Sequence, residues 1–217
     1  MRILCVGYRD WALKTYDRLN ISLPEFNFEI VCNEKDFDSF ELESFAPDII
    51  LFYGWSSIIP NNITEKYNCL MLHPSALPKY RGGSPIQNQI IDGVLDSKAT
   101  IFKMTNELDA GDILATGDLS LRGSIDEIFS QLEDIGFEMT KEILLGVFKP
   151  QKQEHSLATH HRRRSPELSE LTIEEISNMD AIYLYNKIRM LGDPYPNAFI
   201  RTRDGKKLLI KCAEIEG

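Results

Sequence analysis

Cysteine is scarce in this sequence, with four in 217 residues, and no two of them have the spacing of a zinc site or a disulfide framework. Three of them, Cys5, Cys32 and Cys69, lie in or beside apolar runs, where an unpaired cysteine behaves as a small hydrophobic residue. We therefore expect no bound metal ion and a reducing compartment.

Long apolar runs are also missing. No window approaches the roughly 18 consecutive apolar residues that a membrane-spanning helix needs. The first residues, MRILCVGYRDW, turn polar after Gly7, which is too early for the apolar region of a signal peptide. These absences predict a cytoplasmic location and no membrane partner.

Positive charge is in deficit, because 24 Lys and Arg stand against 33 Asp and Glu, a formal net charge of −9. Nucleic acids are bound through many Lys and Arg contacts to phosphates, so we expect no nucleic-acid partner. A local basic pocket for a small anionic ligand is still compatible with this balance. Hydrophobic residues make up 43% of the chain, which is enough for a sizeable folded core.

Short apolar runs alternate with segments of helical periodicity. Strand-like runs lie at 2–7, 28–32, 48–53, 69–72, 100–104 and within 112–121, and helical ones at 11–19, 36–45, 85–93 and 125–147. The run DIILFY at 48–53 is continuously apolar, as strands at the centre of a parallel sheet are. This order predicts the α/β class, with a doubly wound, mostly parallel sheet.

The composition changes after Lys149, which predicts two regions, 1–150 and 151–217. The stretch 151–170 is polar, carries the run Arg162-Arg163-Arg164, and is interpreted as a linker with some extended structure. Residues 173–191 have helical spacing, and 198–201 and 207–215 flank Asp204-Gly205 as a β-hairpin. The second region is therefore expected to be a small extension made of helix and hairpin.

Three polar loops follow predicted strands, where ligands of open parallel sheets bind. The loop YGWSSIIP at 53–60 offers apolar surface suited to a flat heterocycle. The loop HPSALPKYRGG at 73–83 presents His73, whose imidazole exchanges protons near neutral pH. The loop ELDAGD at 107–112 carries carboxylates that could stabilise a neighbouring imidazolium.

Each loop also has an ordinary structural explanation. The first could pack its own apolar residues, and a histidine at a strand end is more often structural than catalytic. The cluster Lys79-Tyr80-Arg81 could be a solvated turn, and the third loop an Asp/Gly turn. The combination of three such loops on one sheet is what indicates a site.

The runs HPSALPKYRGGSPIQ and ELDAGDIL resemble the folate-dependent formyltransferase family, which includes the methionyl-tRNA and sugar N-formyltransferases. His73 and Asp109 are 36 positions apart, as in that family, and YGWSSIIP is similar to its folate-pocket loop. The resemblance covers roughly residues 1–150, and PYPNAF at 194–199 is similar to the tail of the sugar enzymes.

The resemblance implies a Rossmann-like catalytic domain at 1–150 that uses 10-formyltetrahydrofolate and no metal. The family's catalytic set is Asn-x-His followed by Asp. His73 and Asp109 match the last two, but Met71 stands where the Asn is expected. A thioether cannot donate a hydrogen bond, and loss of an oxyanion donor costs about 10²–10³ in rate. Imidazolium, a backbone N–H, water or the amide of Gln87 would have to replace it.

The resemblance also implies binding roles. Pterin and folate contacts fall on Tyr53, Trp55, Ile58, Pro60, Ser75, Ala76, Leu77, Pro78, Glu107, Ala110 and Asp112. Contacts to the acceptor substrate fall on Lys79, Tyr80, Arg81, Gly82 and Tyr195.

Three acceptors compete. We expect the amine of a dTDP-linked 4-amino-4,6-dideoxy sugar, in the synthesis of an O-antigen or polysaccharide precursor. A tRNA acceptor is less expected, because the chain is acidic and 151–217 is short for a tRNA-binding barrel. Glycinamide ribonucleotide is less expected, because 7–11 (GYRDW) is not a Gly/Ser-rich phosphate loop.

Other functional classes stay open. Met71 is also compatible with a non-catalytic binder of folates or sugar nucleotides, and water as acceptor would make the protein a formyl hydrolase. The apolar stretch 208–210 of the hairpin could pair across a two-fold axis, and the resemblance to the family implies a homodimer.

Overall fold

The computed structural model describes residues 1–216, and a six-stranded sheet lies at its centre. The strands are β1 (Arg2–Val6), β2 (Asn27–Val31), β3 (Ile49–Phe52), β4 (Cys69–His73), β5 (Arg81–Gly82), β6 (Asp96–Lys103), β7 (Ile113–Ser120), β8 (His160–His161), β9 (Ala198–Arg201) and β10 (Lys207–Ile210). The helices are α1 (Asp10–Ser22), α2 (Glu34–Asp38), α3 (Leu42–Phe45), α4 (Asn61–Lys66), α5 (Pro85–Ile91), α6 (Ile125–Leu144), α7 (Ile173–Asn178) and α8 (Ala181–Arg189).

The strand order β2-β1-β3-β4-β6-β7 confirms the predicted α/β class. The first four strands are parallel, with β2 and β3 on opposite sides of β1. Such a reversal of strand order opens a crevice at the carboxyl ends of the strands. Of the six strands β6 alone is reversed: it is antiparallel to β4, and β7, which is antiparallel to β6, runs in the direction of the first four strands.

Both faces of the sheet are covered. Along β1, Ile3 and Cys5 belong to one apolar cluster, which contains α1 and α6, and Leu4 and Val6 belong to the cluster on the opposite face. This explains why the central strands are continuously apolar in sequence. The helix predicted at 125–147 is confirmed as α6, whose N-terminus is a capping box of Ser124 and Glu127.

The C-terminal residues pack on the same core. Ile188, Met190 and Ala198 belong to the cluster that covers the α1 and α6 face. The predicted hairpin is confirmed as β9 and β10, although β10 ends at Ile210 rather than at 215. Leu208 is half-exposed on β10, and the expected homodimer stays a prediction.

Candidate active site

A cavity of about 700 Å³ lies beyond the carboxyl ends of β1, β3 and β4. The three loops named from the sequence contribute to its lining, through Trp55 and Ile58 of the first, His73 and Gly82 of the second, and Asp109 of the third. Its volume is within the range of cavities that hold a small organic ligand. The central expectation, that His73 and Asp109 converge at one pocket, therefore agrees with the geometry.

His73 ends β4 and is 5% exposed. Its Nε2 lies 2.8 Å from the backbone oxygen of Tyr80. Because a carbonyl can only accept, this contact assigns the proton to Nε2 and leaves the lone pair on Nδ1. Nδ1 in turn lies 3.6 Å from Oδ2 of Asp109, too far for a hydrogen bond but close enough for an ion pair once the ring is protonated.

Asp109 is held from both ends. The backbone N–H of Gly82 donates to Oδ2 at 2.7 Å, and the Asp109 carbonyl accepts from Nε2 of Gln153 at 2.9 Å. The residue has φ 51, in the left-handed region that Asp tolerates better than most residues. The loop thus keeps a buried carboxylate directed at the imidazole.

Asp109 reaches this position by an indirect route. Since β6 is antiparallel, its carboxyl end lies beside the amino end of β4, where Met104 N–H donates to the Cys69 carbonyl at 2.8 Å. The loop after β6 must therefore run back across the sheet to bring Asp109 to His73. The loop therefore lies at the predicted site although β6 does not run parallel to β3 and β4 as expected.

Two further residues of the loop after His73 adopt left-handed backbone. Tyr80 has φ 58 and Ser84 has φ 51, and each conformation is costly for a residue with a side chain. The Tyr80 carbonyl is the acceptor for His73, and Ser84 lines the cavity just before α5. Unfavourable torsions are thus concentrated where the imidazole is positioned.

Met71 lines the cavity two residues before His73 and is only partly buried. Two hydrogen-bond donors share this lining. Nε2 of Gln87 and Nε1 of Trp55 are buried and have no hydrogen-bond partner within residues 1–216. Buried donors are nearly always paired, so two unpaired donors on residues that line one cavity are exceptional.

The predicted folate residues separate into two groups. Trp55 and Ile58 line the cavity, whereas Tyr53 is fully buried and its hydroxyl is 2.8 Å from Oγ1 of Thr140. Within residues 1–216 the cavity lining also omits Pro60, Ser75, Ala76, Leu77, Pro78, Glu107, Ala110 and Asp112. Several of these shape the loops instead: the Ser75 hydroxyl, for example, donates to the Lys79 carbonyl at 2.7 Å.

The predicted acceptor residues separate in the same way. Gly82 and Tyr195 line the cavity, but Lys79 points to solvent and is not part of the lining. Tyr80 stacks on His161 with ring centroids 4.7 Å apart and donates to Asp92 at 3.0 Å. Burial, reinforced by the Asp92 carboxylate, raises the pKa of Tyr80 to about 12.

Arg81 does not face the cavity as expected. It is 1% exposed, and its Nη2 donates to Oε1 of Gln153 at 2.7 Å and lies 3.2 Å from Nδ1 of His155. These two partners come from the polar stretch 151–170, whose packing against this loop the sequence does not reveal, and Glu107 of the third loop lies 3.5 Å from Nη1. Arg81 therefore supports the loops that hold Asp109 instead of presenting a charge to an anion.

The stretch interpreted as a linker also forms one wall of the site. β8 pairs in parallel with β5, and residues 161–166 line the cavity. The arginine run is visible in the sequence but its position at the cavity is not, and Arg9, which follows β1 and also lines the cavity, was not predicted as a site residue. The run of like charges was the available signal, but only the pairing of β5 with β8 brings it to the pocket.

Two other observations concern the chain as described. Residues 1–216 contain no group of three or more His, Cys, Asp or Glu side chains placed to hold a metal ion. No helix in that range is both long and apolar enough to cross a membrane.

Known proteins resemble this chain in sequence. The methionyl-tRNA formyltransferase of Halalkalibacterium halodurans is 34% identical over 207 residues, which are 90% of this chain and 63% of that protein. The enzyme of the same name from Lachnospira eligens is 33% identical over 183 residues, 81% of this chain and 56% of its own. The chain thus spans about three fifths of the length of these curated relatives.

Solved structures resemble its fold. A methionyl-tRNA formyltransferase from Clostridium thermocellum superposes with a TM-score of 0.85 and 34% identity, covering 97% of both chains. A 4-N formyltransferase from Francisella tularensis has a TM-score of 0.76 over 100% of this chain and 98% of its own, and at 19% identity it shows a common fold. The formyl transferase family profile matches residues 31–142, which include His73 and Asp109. By this match, which covers more than half of the sequence, the chain belongs to the formyl transferase family.

Proposed function

We propose that the protein transfers the formyl group of 10-formyltetrahydrofolate to a primary amine. The observation that carries this proposal is the pairing of His73 with Asp109, both more than 90% buried, at a cavity in a chain of this family.

The cavity suits a reduced folate. Apolar side chains such as Trp55, Ile58 and Phe102 line it, as expected for a pocket that holds a flat ring system. The unpaired Nε1 of Trp55 and Nε2 of Gln87 offer two donors to the polar atoms of such a ligand. When bound, the folate would supply the formyl group.

His73 would act as the proton carrier. Its Nδ1 holds the lone pair, so it can accept the proton of the attacking amine and return it to the folate nitrogen as the formyl–nitrogen bond breaks. Asp109 stabilises the imidazolium in between through the 3.6 Å contact with Nδ1. The bond of Nε2 to the Tyr80 carbonyl fixes the ring orientation meanwhile.

Gln87 would provide the donor that Met71 lacks. Its amide is 2% exposed, lines the same cavity, and has an unpaired Nε2. A preorganised donor of this kind lowers the cost of negative charge developing on the formyl oxygen. This role makes the family's missing Asn compatible with turnover.

The experiment is a single-turnover assay with 10-formyltetrahydrofolate and an amine acceptor. His73→Ala and Asp109→Asn should each lower the rate by about 10²–10⁴, the usual contribution of a positioned acid–base group. His160→Ala is the matched control, because that imidazole is exposed and outside the cavity lining. Rates within twofold of wild type for His73→Ala would refute the assignment.

A double-mutant cycle tests the donor. Gln87→Leu should lower turnover by about 10²–10³, and Met71→Asn should restore it in that background more than it raises the wild-type rate. Equal effects of Met71→Asn in both backgrounds would show that Gln87 is not the donor. Wild-type protein that binds folate but never turns over would favour the non-catalytic binder, and folate deformylation without amine would favour the hydrolase.

For the acceptor we propose the amine of a dTDP-linked 4-amino-4,6-dideoxy sugar. A nucleoside diphosphate needs only a few cationic contacts, which suits a chain of net charge −9, and Tyr195 offers an aromatic face at the cavity. Methionyl-tRNA is the second candidate, because proteins with that activity in their names match this chain at 33–34% identity.

Both acceptors can be compared in one assay. Release of tetrahydrofolate is followed with a panel of dTDP-amino sugars and with methionyl-tRNA at equal concentration, and the formylated product is identified by mass. Turnover confined to a sugar nucleotide supports our proposal. Turnover confined to methionyl-tRNA assigns the second candidate and rejects the first.

A further inference from the structure

Four arginines line the cavity, although the chain as a whole is acidic. They are Arg9, after β1, and the run Arg162-Arg163-Arg164, after β8. Asp109 is the one carboxylate in the same lining among the described residues. The cavity therefore has a strong excess of positive charge, which attracts anions into a site with low-dielectric walls.

None of these four guanidinium groups forms a salt bridge within residues 1–216, in contrast to Arg18 and Arg122, which pair with carboxylates on the surface. Arg9 instead contacts two aromatic rings, with its guanidinium 5.3 Å from the Tyr8 centroid and 5.2 Å from the Tyr195 centroid. These contacts hold its side chain while leaving its N–H groups available to a ligand.

Arg163 belongs to the same rim as Arg9. Its Nη2 donates to the Ser56 carbonyl at 3.3 Å, and the Ser56 hydroxyl is hydrogen-bonded to the Tyr8 hydroxyl. Tyr8 is in turn the ring over which Arg9 lies. The chain of contacts from Arg163 through Ser56 and Tyr8 to Arg9 thus joins two guanidinium groups that are 154 positions apart in sequence.

Two glycines of the loop after His73 leave room for the arginine segment to pack closely against it. A Cβ on Gly82 would lie 2.3 Å from the His161 carbonyl oxygen, and one on Gly83 would lie 2.4 Å from Cα of Arg163. No side chain larger than hydrogen fits at either position without moving the arginine segment. The two glycines of the loop therefore allow the arginine run to cross directly over it.

We propose that Arg9 and Arg163 form an anion-binding subsite at the cavity rim, which holds the phosphate or carboxylate end of a reactant. Guanidinium groups bind both anions with paired, charge-assisted hydrogen bonds. The inference deepens the proposed function, since both reactants named there carry such groups: the diphosphate of a sugar nucleotide and the glutamate tail of a folate. Binding to the subsite does not require formyl transfer, so it can be tested separately.

Intrinsic fluorescence gives the measurement, because both tryptophans of the chain, Trp11 and Trp55, line this cavity. The probes are inorganic pyrophosphate for the acceptor, and 5-formyltetrahydrofolate with and without its glutamate for the folate. Arg9→Ala and Arg163→Ala should each weaken binding of the recognised probe by about tenfold or more. Binding should also weaken as NaCl is raised.

Arg203→Ala is the matched control, because it removes one exposed positive charge from the hairpin turn, away from the cavity lining. Arg163→Lys keeps the charge without the planar fork and should fall between wild type and Arg163→Ala. Circular dichroism identifies any variant that fails to fold. If Arg163→Ala does not fold, the affinity of Arg163→Lys for the probes is used to test the subsite instead.

The probes distinguish the two sources of the anion. Loss of pyrophosphate binding alone assigns the subsite to the acceptor phosphate, and loss confined to the glutamate-bearing folate assigns it to the folate tail. Either result supports the subsite. If Arg9→Ala and Arg163→Ala bind all probes with affinities within twofold of those of Arg203→Ala, the subsite is rejected, whatever the turnover of the variants. Conversely, normal pyrophosphate binding without any formyl transfer would contradict the proposed function alone.

Discussion

Gln153→Ala is the most informative single substitution for the architecture of the site. Gln153 is 5% exposed and connects three elements. Its Nε2 donates to the carbonyls of Asp109 and Gly111 at 2.9 and 2.8 Å, and its Oε1 accepts from Nη2 and Nε of Arg81 at 2.7 and 3.3 Å. Truncation removes all of these contacts at once.

The expected loss of stability follows from the buried groups that lose their hydrogen-bond partners in Gln153→Ala. Two buried carbonyls lose their side-chain donor, and a guanidinium that is 1% exposed loses its closest acceptor. Each buried group stranded in this way costs about 1–3 kcal/mol. Because Arg81 keeps its contacts with His155 and Glu107, we expect a total in the lower part of the summed range, a fall of about 3–5 kcal/mol in the free energy of unfolding. For a chain of this size, that corresponds to a drop of roughly 10 °C in melting temperature. Turnover should fall as well, because the Asp109 backbone is no longer held.

Urea unfolding followed by tryptophan fluorescence measures the loss. Gln151→Ala is the matched control: the side chain is exposed, and its two hydrogen bonds to Ile113 use only backbone atoms. Gln153→Glu keeps the acceptor for Arg81 but removes the donor to Asp109, so its stability should lie between those of Gln153→Ala and wild type. If the free energies of unfolding of Gln153→Ala and Gln151→Ala differ by less than about 0.5 kcal/mol, the contacts of Gln153 do not hold this site together.

Two further predictions concern thiols and glycines. A thiol reagent at pH 8 should react rapidly with the exposed Cys32 and Cys212, while burial, which raises the pKa of Cys69 to about 12 and that of Cys5 well above its usual value, protects the other two until the protein unfolds. Fast reaction of more than two thiols in the native protein would contradict this. Gly83→Ala should lower the free energy of unfolding by about 1–3 kcal/mol and weaken pyrophosphate binding, because its Cβ displaces the arginine segment. Gly93→Ala, which meets open space, should leave pyrophosphate binding unchanged, and equal binding by the two variants would refute the steric argument.

The pattern of apolar runs predicted the central strands because β1, β3 and β4 are buried on both faces, which requires continuous hydrophobicity. Strand direction could not be predicted in this way. A buried strand has the same composition in either direction, so the antiparallel β6 was not distinguishable from a parallel strand.

The positions of single side chains were predicted less well than those of the loops that carry them. Arg81 illustrates the reason, because a guanidinium in a Gly-rich loop looks available to an anion when the sequence is considered alone. Its burial depends on Gln153, 72 positions away, which no local pattern connects to it. Tyr53 is a second case, since its hydroxyl is hydrogen-bonded to the Thr140 hydroxyl on α6 and its ring is buried in the core instead of lining the cavity.

What the sequence alone determined is the set of chemical groups and the local elements that carry them: a buried α/β sheet, an imidazole at the end of one strand, and a carboxylate in a Gly-containing loop. Hydrophobic periodicity and turn residues act over short distances, so they can be interpreted without a tertiary structure. The tertiary structure alone decided which of these groups meet. The backward course of the loop after β6, the pairing of β5 with β8 and the contacts of Gln153 depend on residues far apart in the chain, because packing brings together what local preference cannot.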